Sequence, residues 1–419
     1  MPTAIVTGAT GILGREIVHA LGRDPQTWTK VHALSRRQRE AYPSNVLHDT
    51  IDLFAASVEK LAEQFRHGSQ TLRDTIAAGG CEYIFFAAYV AKDDEGDADR
   101  VNGGMLQNFL AALALTGADR NLRRIILTTG AKQYGVHLGP VKLPMEEDDP
   151  WVEGPGRPPN FYYTQQRVLQ GTTAKKKWDW VVTYPNDVIG VAKGNFMNLT
   201  TAIGLYAAVT KELNEPFIFP GSPSFYTGLD CFTYSPLHAQ FVLWAALEPR
   251  AGNQAFNVVN GDVQSWQTLW PRLARRFGVT IPADQFSTKP QDDTVQQLLE
   301  RPPLTDHASA MGIAHRVPRG EVRSHIDLAQ WSQRPEVRQA WSRLAARENL
   351  QEDAFDKATW AFLNFVLGRN YDLIISMNKA RRLGFQGWVD TWEALSEALD
   401  KLEAEGILPK SVVAAAEAQ

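Results

Sequence analysis

Cysteine is scarce in this chain: only Cys81 and Cys231 occur among 419 residues. Cys81 precedes an apolar run and Cys231 sits in a mixed aromatic stretch. That excludes a disulfide framework or a cysteine-rich metal site, and both thiols are expected to be packed. Long hydrophobic runs are missing too. No stretch reaches the roughly 18 apolar residues that a membrane-spanning helix needs, and the mean hydropathy is −0.28. Charge of one sign is also lacking. Lys and Arg number 43 against 47 Asp and Glu, a net charge of −4, so neither a nucleic-acid nor an anionic-membrane surface is expected. The nine histidines show no metal-ligand spacing; His32, His48, His67 and His137 are scattered and read as structural or surface groups. The N-terminus runs straight into an apolar strand, Thr3 to Thr7, with no basic segment or small-residue cleavage site, so a cytoplasmic location is the default expectation.

What is present is an alternating pattern. Short apolar runs at 4–7, 31–34, 46–52, 83–88, 125–128 and 181–184 alternate with helical spacing at 12–21, 53–65 and 105–115. Such alternation predicts an α/β fold, a Rossmann doubly wound parallel sheet covered on both faces. After Gly190 the pattern loosens. Helices are expected over 195–211, 236–246 and 266–277, a strand over 255–259, loops over 215–229, and a polar insertion or linker over 282–306. The remainder reads as helices over 336–347, 357–365, 377–383 and 388–405. The expected organisation is a Rossmann domain over 1–192, rejoined by about 228–262, and a smaller, mainly helical substrate domain over 193–419.

The first turn carries chemistry. Thr7-Gly8-Ala9-Thr10-Gly11-Ile12-Leu13-Gly14 follows a strand and opens a helix. Gly8 permits the tight turn, Gly11 lets backbone approach a pyrophosphate, and Gly14 lets the helix lie close to the strand. The helix N-terminus supplies free N–H groups to the phosphates. A ribose-binding Asp or Glu belongs about twenty residues further on in an NAD protein. This chain has Ser35-Arg36-Arg37 there. A carboxylate repels a 2′-phosphate and a guanidinium forks onto it, so NADPH/NADP+ is the expected cofactor. Asp52, with Leu53 after it, is a candidate for the adenine edge. Ala88, Thr128 and Pro185 stand at carboxyl ends of expected strands, where such sheets bind ligands, and Val188 lies just beyond.

A proton donor is harder to find. Short-chain dehydrogenases pair a Tyr with a Lys four residues later. Here Asn160-Phe161-Tyr162-Tyr163-Thr164-Gln165-Gln166-Arg167 puts Gln166 after Tyr162 and Arg167 after Tyr163. An Arg is bulkier and cannot relay a proton. A lysine does occur at another strand end, in Thr128-Thr129-Gly130-Ala131-Lys132.

Thr129-Gly130-x-Lys132, Asn160-Phe161-Tyr162-Tyr163 and Ser35-Arg36-Arg37 together resemble the progesterone 5β-reductase/iridoid synthase-like (PRISE) family, an atypical group of extended short-chain dehydrogenases/reductases. Phe256-Asn257-Val258-x-Asn260-Gly261-Asp262 and Ser376-Met377-Asn378-Lys379 extend the resemblance over about residues 3–390, in order. It implies NADPH-dependent 1,4-reduction of a C=C bond conjugated to a carbonyl, with Tyr162 and Lys132 as catalytic residues. Tyr162 would stabilise the enolate where its charge develops; Lys132 would make the phenol more acidic and hold the ribose. Asn195, Phe196 and Met197 resemble a segment facing cofactor and substrate. There are departures: Lys132-Gln133-Tyr134 is followed by extra residues before Gly139-Pro140, and the polar stretch over 282–333 is longer.

Tyr89, Tyr134, Tyr163, Met197, Phe225, Tyr226 and Phe362 are candidates to line an apolar pocket. No dedicated basic clamp for a sugar nucleotide is present, so the expected substrate is a small hydrophobic enone, enal or other carbonyl compound, with a homodimer as one assembly. Two other functions fit the same motifs: an NADPH-dependent carbonyl reductase, whose Tyr protonates an alkoxide, and a non-catalytic NADP-sensing protein. The presence of both Tyr162 and Lys132 argues against the sensor.

Overall fold

The computed structural model describes residues 2–37, 41–54, 57–192, 198–287 and 293–411. Its frame is a sheet whose strands read as short, nearly continuous apolar runs, because both faces are covered. β1 (Thr3–Thr7), β2 (Lys30–Ser35), β3 (Val46–Thr50), β4 (Tyr83–Phe86), β5 (Arg124–Thr128) and β6 (Asp179–Pro185) follow one another along the chain. β7 (Val188–Ile189) and β8 (Thr233–Tyr234) form a small separate parallel pair, and β9 (Gln254–Val258) returns to β6. The large sheet has seven strands in the order β3-β2-β1-β4-β5-β6-β9, paired in parallel. The order reverses direction at β1, which pairs with β2 on one side and β4 on the other. A crevice at that switch point, beyond the carboxyl ends of the strands, is where such sheets bind ligands.

Helices cover the sheet on both sides. On one, α1 (Ile12–Arg23) packs against a later helix, Ser235–Leu247. Elsewhere come α2 (Val58–His67), α3 (Gln70–Ala77), α4 (Glu95–Thr116) and α5 (Phe161–Thr173), with α4 contacting both α2 and α5. α4 and α5 approach closely at Gly103, where a Cβ would lie 2.6 Å from the Thr164 methyl carbon.

Several boundaries differ from expectation, each for a local reason. The helix expected over 53–65 starts only at Val58, where the Ser57 side chain accepts from the Lys60 N–H. A second serine cap, Ser69, then starts α3, which the apolar spacing did not reveal. α4 begins at Glu95, well before residue 105, under an Asp94 cap and with Glu95 and Asp97 in its first turn. Its polar opening hides the helical period. Within 215–229 a short helix, Pro223–Thr227, starts on Ser222 and Pro223. The stretch 282–306 is not only a linker: Thr294–Gln297 pairs antiparallel with Glu321–Ser324, and Leu304–Ala310 is helical. The C-terminal helices are Pro335–Glu348, Trp360–Gly368, Asn378–Leu383 and Thr391–Ala404. Both cysteines are free and buried, and burial pushes each thiol up to about 12. No helix among the described residues is long and apolar enough to cross a membrane.

Candidate active site

The glycine turn is fixed by close backbone approach. Gly8 has φ +65°, and a Cβ there would sit 2.5 Å from the Ala87 carbonyl oxygen. A Cβ on Gly14 would lie 2.2 Å from the Gly8 oxygen. β1, the turn and α1 can therefore pack only with glycine at both positions. Gly11 caps α1 without a side-chain bond, which leaves the first helical N–H groups for a ligand.

Gly8, Thr10, Gly11, Ser35, Arg36, Asp52, Leu53, Ala88 and Tyr89 line one cleft of about 290 Å³ at the switch point. At its β2 end the Ser35 hydroxyl donates to the Arg37 carbonyl at 2.9 Å and meets His48 Nε2 at 2.8 Å. That bond shapes the turn, and both Arg36 and Arg37 are exposed. Asp52 accepts from the Phe54 N–H through one carboxylate oxygen. Thr7 is fully buried and its hydroxyl has no partner among the described residues, so it lies beneath the turn. Ile12, Leu13 and Val188 form a small apolar cluster with Ala192. Asn195, Phe196 and Met197 lie outside the described residues. Thr128 and Pro185 end adjacent strands. A dinucleotide fits this donor set: glycine backbone and a helix start for phosphates, a guanidinium at the far end.

Missed by sequence reasoning is the side chain that braces the cleft wall. Asn102 of α4 accepts from the Val90 N–H at 2.9 Å and donates to the Val90 and Ala98 carbonyls, both at 3.0 Å. It is fully buried and fixes the loop that follows β4. An isolated Asn in a helical pattern gives no local sign of that role.

Asn160 draws the two catalytic candidates together. As the N-cap of α5 its Oδ1 accepts from the Tyr162 N–H at 3.1 Å, and its Nδ2 donates to the Lys132 carbonyl at 2.9 Å. One side chain thus ties the turn after β5 to the start of α5. The Tyr162 ring packs edge-on to Phe161, with centroids 4.4 Å apart. A Cβ on Gly130 would lie 3.0 Å from the Tyr162 hydroxyl oxygen and 3.3 Å from the Pro185 carbonyl oxygen. The hydroxyl therefore lies at the exits of β5 and β6, in space that glycine leaves open, and it forms no hydrogen bond with the described residues. Burial, and then Tyr89 and Glu95, push the phenol far above its ordinary range.

Lys132 is engaged elsewhere. Its Nζ donates to both carboxylate oxygens of Glu95, at 2.6 and 2.5 Å, and lies 5.6 Å from the Phe161 ring centroid. Gln166 is buried within a network: its Nε2 donates to Gln133 Oε1 at 2.8 Å and the Tyr162 carbonyl at 3.1 Å, and its Oε1 accepts from the Tyr184 hydroxyl at 2.8 Å. That position is structural. Arg167 pairs with Glu153 at the surface.

Among the pocket candidates, Tyr89 joins Tyr162 through Phe161, on which it stacks with centroids 5.5 Å apart, and burial and Glu95 push its phenol up to about 12. Tyr134 donates to Asn257 Oδ1 at 2.6 Å, and Tyr163 donates to the Gln133 carbonyl at 2.6 Å while stacked on Trp151. Both are bracing groups. Phe225 is buried beneath Arg369, Tyr226 packs edge-on to Phe219 and Phe286, and Phe362 borders a separate depression near Thr359. Met197 is outside the described residues.

Comparison with known proteins matches residues 4–326 to the PRISE-like Rossmann-fold domain. The chain is 41% identical to an uncharacterized protein of Schizosaccharomyces pombe, over 97% of this chain and 98% of that one. It is 28% identical to a 3-oxo-Delta(4,5)-steroid 5-beta-reductase of Arabidopsis thaliana, over 97% of this chain and 93% of that one. Identity and coverage are the same for an (S)-8-oxocitronellyl enol synthase of Camptotheca acuminata. Among solved structures, the terminal R domain of the myxalamid PKS-NRPS pathway is similar with a TM-score of 0.58 and 14% identity, covering 98% of this chain and 92% of that one, a likeness of fold alone.

Proposed function

This chain belongs to the PRISE-like Rossmann-fold family and is an NAD(P)-dependent oxidoreductase of the short-chain dehydrogenase/reductase type; from that premise we propose that it reduces an activated C=C bond, conjugated to a carbonyl in a small hydrophobic enone or enal, with NADPH. The observation that carries this reading is the Tyr162 hydroxyl. It stands at the β5 and β6 exits without a partner among the described residues, next to Gly130, while Gln166 occupies the place of the usual lysine. The steroid reductase and the enol synthase among the relatives support the same chemistry.

The glycine turn and Arg36 would hold NADPH in the cleft, and the cofactor would supply a hydride for the carbon β to the carbonyl, leaving negative charge on the carbonyl oxygen. Tyr162 donates its hydroxyl proton in a hydrogen bond to that oxygen, where the charge develops. A pre-set donor in a water-poor site is worth far more than one in bulk solvent, since it does not reorganise during the reaction. Asn160 holds Tyr162 against the turn that carries Lys132, and Asn102 holds the wall opposite. A proton reaching the α-carbon completes the reduction.

Product analysis tests the reading. A cyclic enone incubated with NADPH should yield the saturated ketone; an allylic alcohol as product would instead make the protein a carbonyl reductase.

The choice of NADPH has its own test. Arg36 is exposed at the cleft and no carboxylate ends β2. Arg36→Glu should raise KM for NADPH by about 10- to 100-fold, the value of one or two charge-assisted bonds plus a new repulsion, and leave KM for NADH nearly unchanged. Equal changes for both cofactors would remove Arg36 from 2′-phosphate recognition.

A further inference from the structure

The end of the cleft where β2 stops holds a histidine that the proposed reaction does not use. Ser35 and Arg36 line the cleft there. His48 stands on β3, and the parallel register sets it beside Ala33, on the same face of the sheet as Ser35. Its Nε2 lies 2.8 Å from the buried Ser35 hydroxyl, which in turn lies 2.9 Å from the Arg37 carbonyl oxygen. A carbonyl can only accept, so the one hydroxyl proton of Ser35 goes to Arg37, and the Ser35 oxygen accepts from an Nε2–H of His48. Burial lowers the imidazole below its ordinary value, against the pull of Asp49, so near neutral pH that N–H is its one proton. Asp49 does not compete for it, because its own Oδ2 meets His32 Nδ1 at 2.8 Å. The His48 ring also stacks on Tyr42, with centroids 6.4 Å apart.

We propose that His48 is a positioning residue for the cofactor, selective for its 2′-phosphate: through Ser35 it holds the Arg37 carbonyl, and so fixes the turn from which Arg36 and Arg37 reach that phosphate. This inference rests on the reading of Arg36 and NADPH given above. Both arginines are exposed, and an exposed arginine loses rotamer freedom when it closes on a phosphate. A backbone already set at residues 35–37 leaves less to be ordered on binding. Without the His48 N–H, the buried Ser35 oxygen loses the donor that orients its hydroxyl towards Arg37. The cost falls on NADPH and NADP+, since NAD+ carries a neutral hydroxyl where the arginines would grip a phosphate.

The experiment is calorimetric titration of the whole chain with NADP+ and with NAD+, which needs no substrate. His48→Phe keeps a ring to stack on Tyr42 and removes the N–H. It should raise Kd for NADP+ by about 3- to 10-fold, the value of one hydrogen bond, and leave Kd for NAD+ unchanged. His48→Gln, whose amide nitrogen can stand where Nε2 stands, should bring Kd for NADP+ back to the wild-type value. Ser35→Ala should match His48→Phe, and the double variant should bind no more weakly than either alone, because the two side chains act in series.

Equal losses for NADP+ and NAD+ overturn the proposal. So does a His48→Gln variant as weak as His48→Phe, or losses that add in the double variant. Arg36→Glu in the same titration tests the reading beneath it: if the preference for NADP+ over NAD+ survives that change, the assignment of the 2′-phosphate to this turn has failed, whatever His48 does. A merely structural His48 would change stability, or the affinity for both dinucleotides alike, without moving their ratio.

Discussion

Tyr162→Phe should lower kcat for enone reduction by about 10²- to 10³-fold, the usual cost of removing one pre-set donor to a developing oxyanion. KM for NADPH should change little. The substitution deletes one oxygen and keeps the ring, so the edge-on contact with Phe161 and the α5 cap on Asn160 survive. The hydroxyl forms no bond within the described protein, so its loss strands no buried partner. The effect should fall on the step in which charge appears on substrate oxygen. Steady-state kinetics with NADPH and an enone measure it; undiminished kcat would strip Tyr162 of its proposed role.

Arg369→Met should cost about 3–5 kcal/mol of stability, the range for breaking a buried ion pair by removing one partner. Arg369 is 1% exposed and binds both oxygens of Asp187, at 2.6 and 3.0 Å, with Asp230 at 3.7 Å. Phe225 and Phe365 flank the guanidinium. Burial, and then Asp187, push the Asp230 carboxyl well above its usual range, against the pull of Arg369. Without the arginine, two acids remain buried with no cation. Asp187 also holds φ +33°, rare for a residue with a side chain, at the exit of β6 just before Val188. Arg369 thus fastens the helical C-terminal region to a strand end that borders the Tyr162 hydroxyl. Urea unfolding measures the loss; a change below about 1 kcal/mol, the scale of a surface pair, would contradict it.

What was legible in the sequence follows from the range of the interactions. The glycine turn was readable because part of its constraint is local: Gly14 is crowded by Gly8, close by in the chain, whereas the Ala87 carbonyl that crowds Gly8 lies far along the sequence. β1, β4 and β5 were readable because strands buried on both faces leave unbroken apolar runs. Thr294–Gln297 was not, since all four of its residues are exposed and its sequence does not alternate. α3 was hidden because its start depends on Ser69 rather than on an apolar stripe. The long-range pairs were out of reach. Lys132 meets Glu95 across 37 residues, and Arg369 meets Asp187 across 182. Nothing local to either carboxylate marks it. The pocket list suffered from abundance: with 19 Phe, 12 Trp and 11 Tyr, an aromatic side chain carries little information about its neighbours. Tyr134 and Tyr163 proved to be hydrogen-bonded braces. The choice of Tyr162 over Tyr163 rests on the family resemblance; the Asn160 side chain, which bonds both the Tyr162 N–H and the Lys132 carbonyl, ties that stretch to the turn after β5.

The most direct measurement is the position of deuterium in the product when NADPH deuterated at C4 of the nicotinamide reduces a cyclic enone. Deuterium at the β-carbon of a saturated ketone, read by NMR, is the expected result. Deuterium at the carbinol carbon of an allylic alcohol, or no transfer to any member of an enone and enal panel, would contradict conjugate reduction at this site.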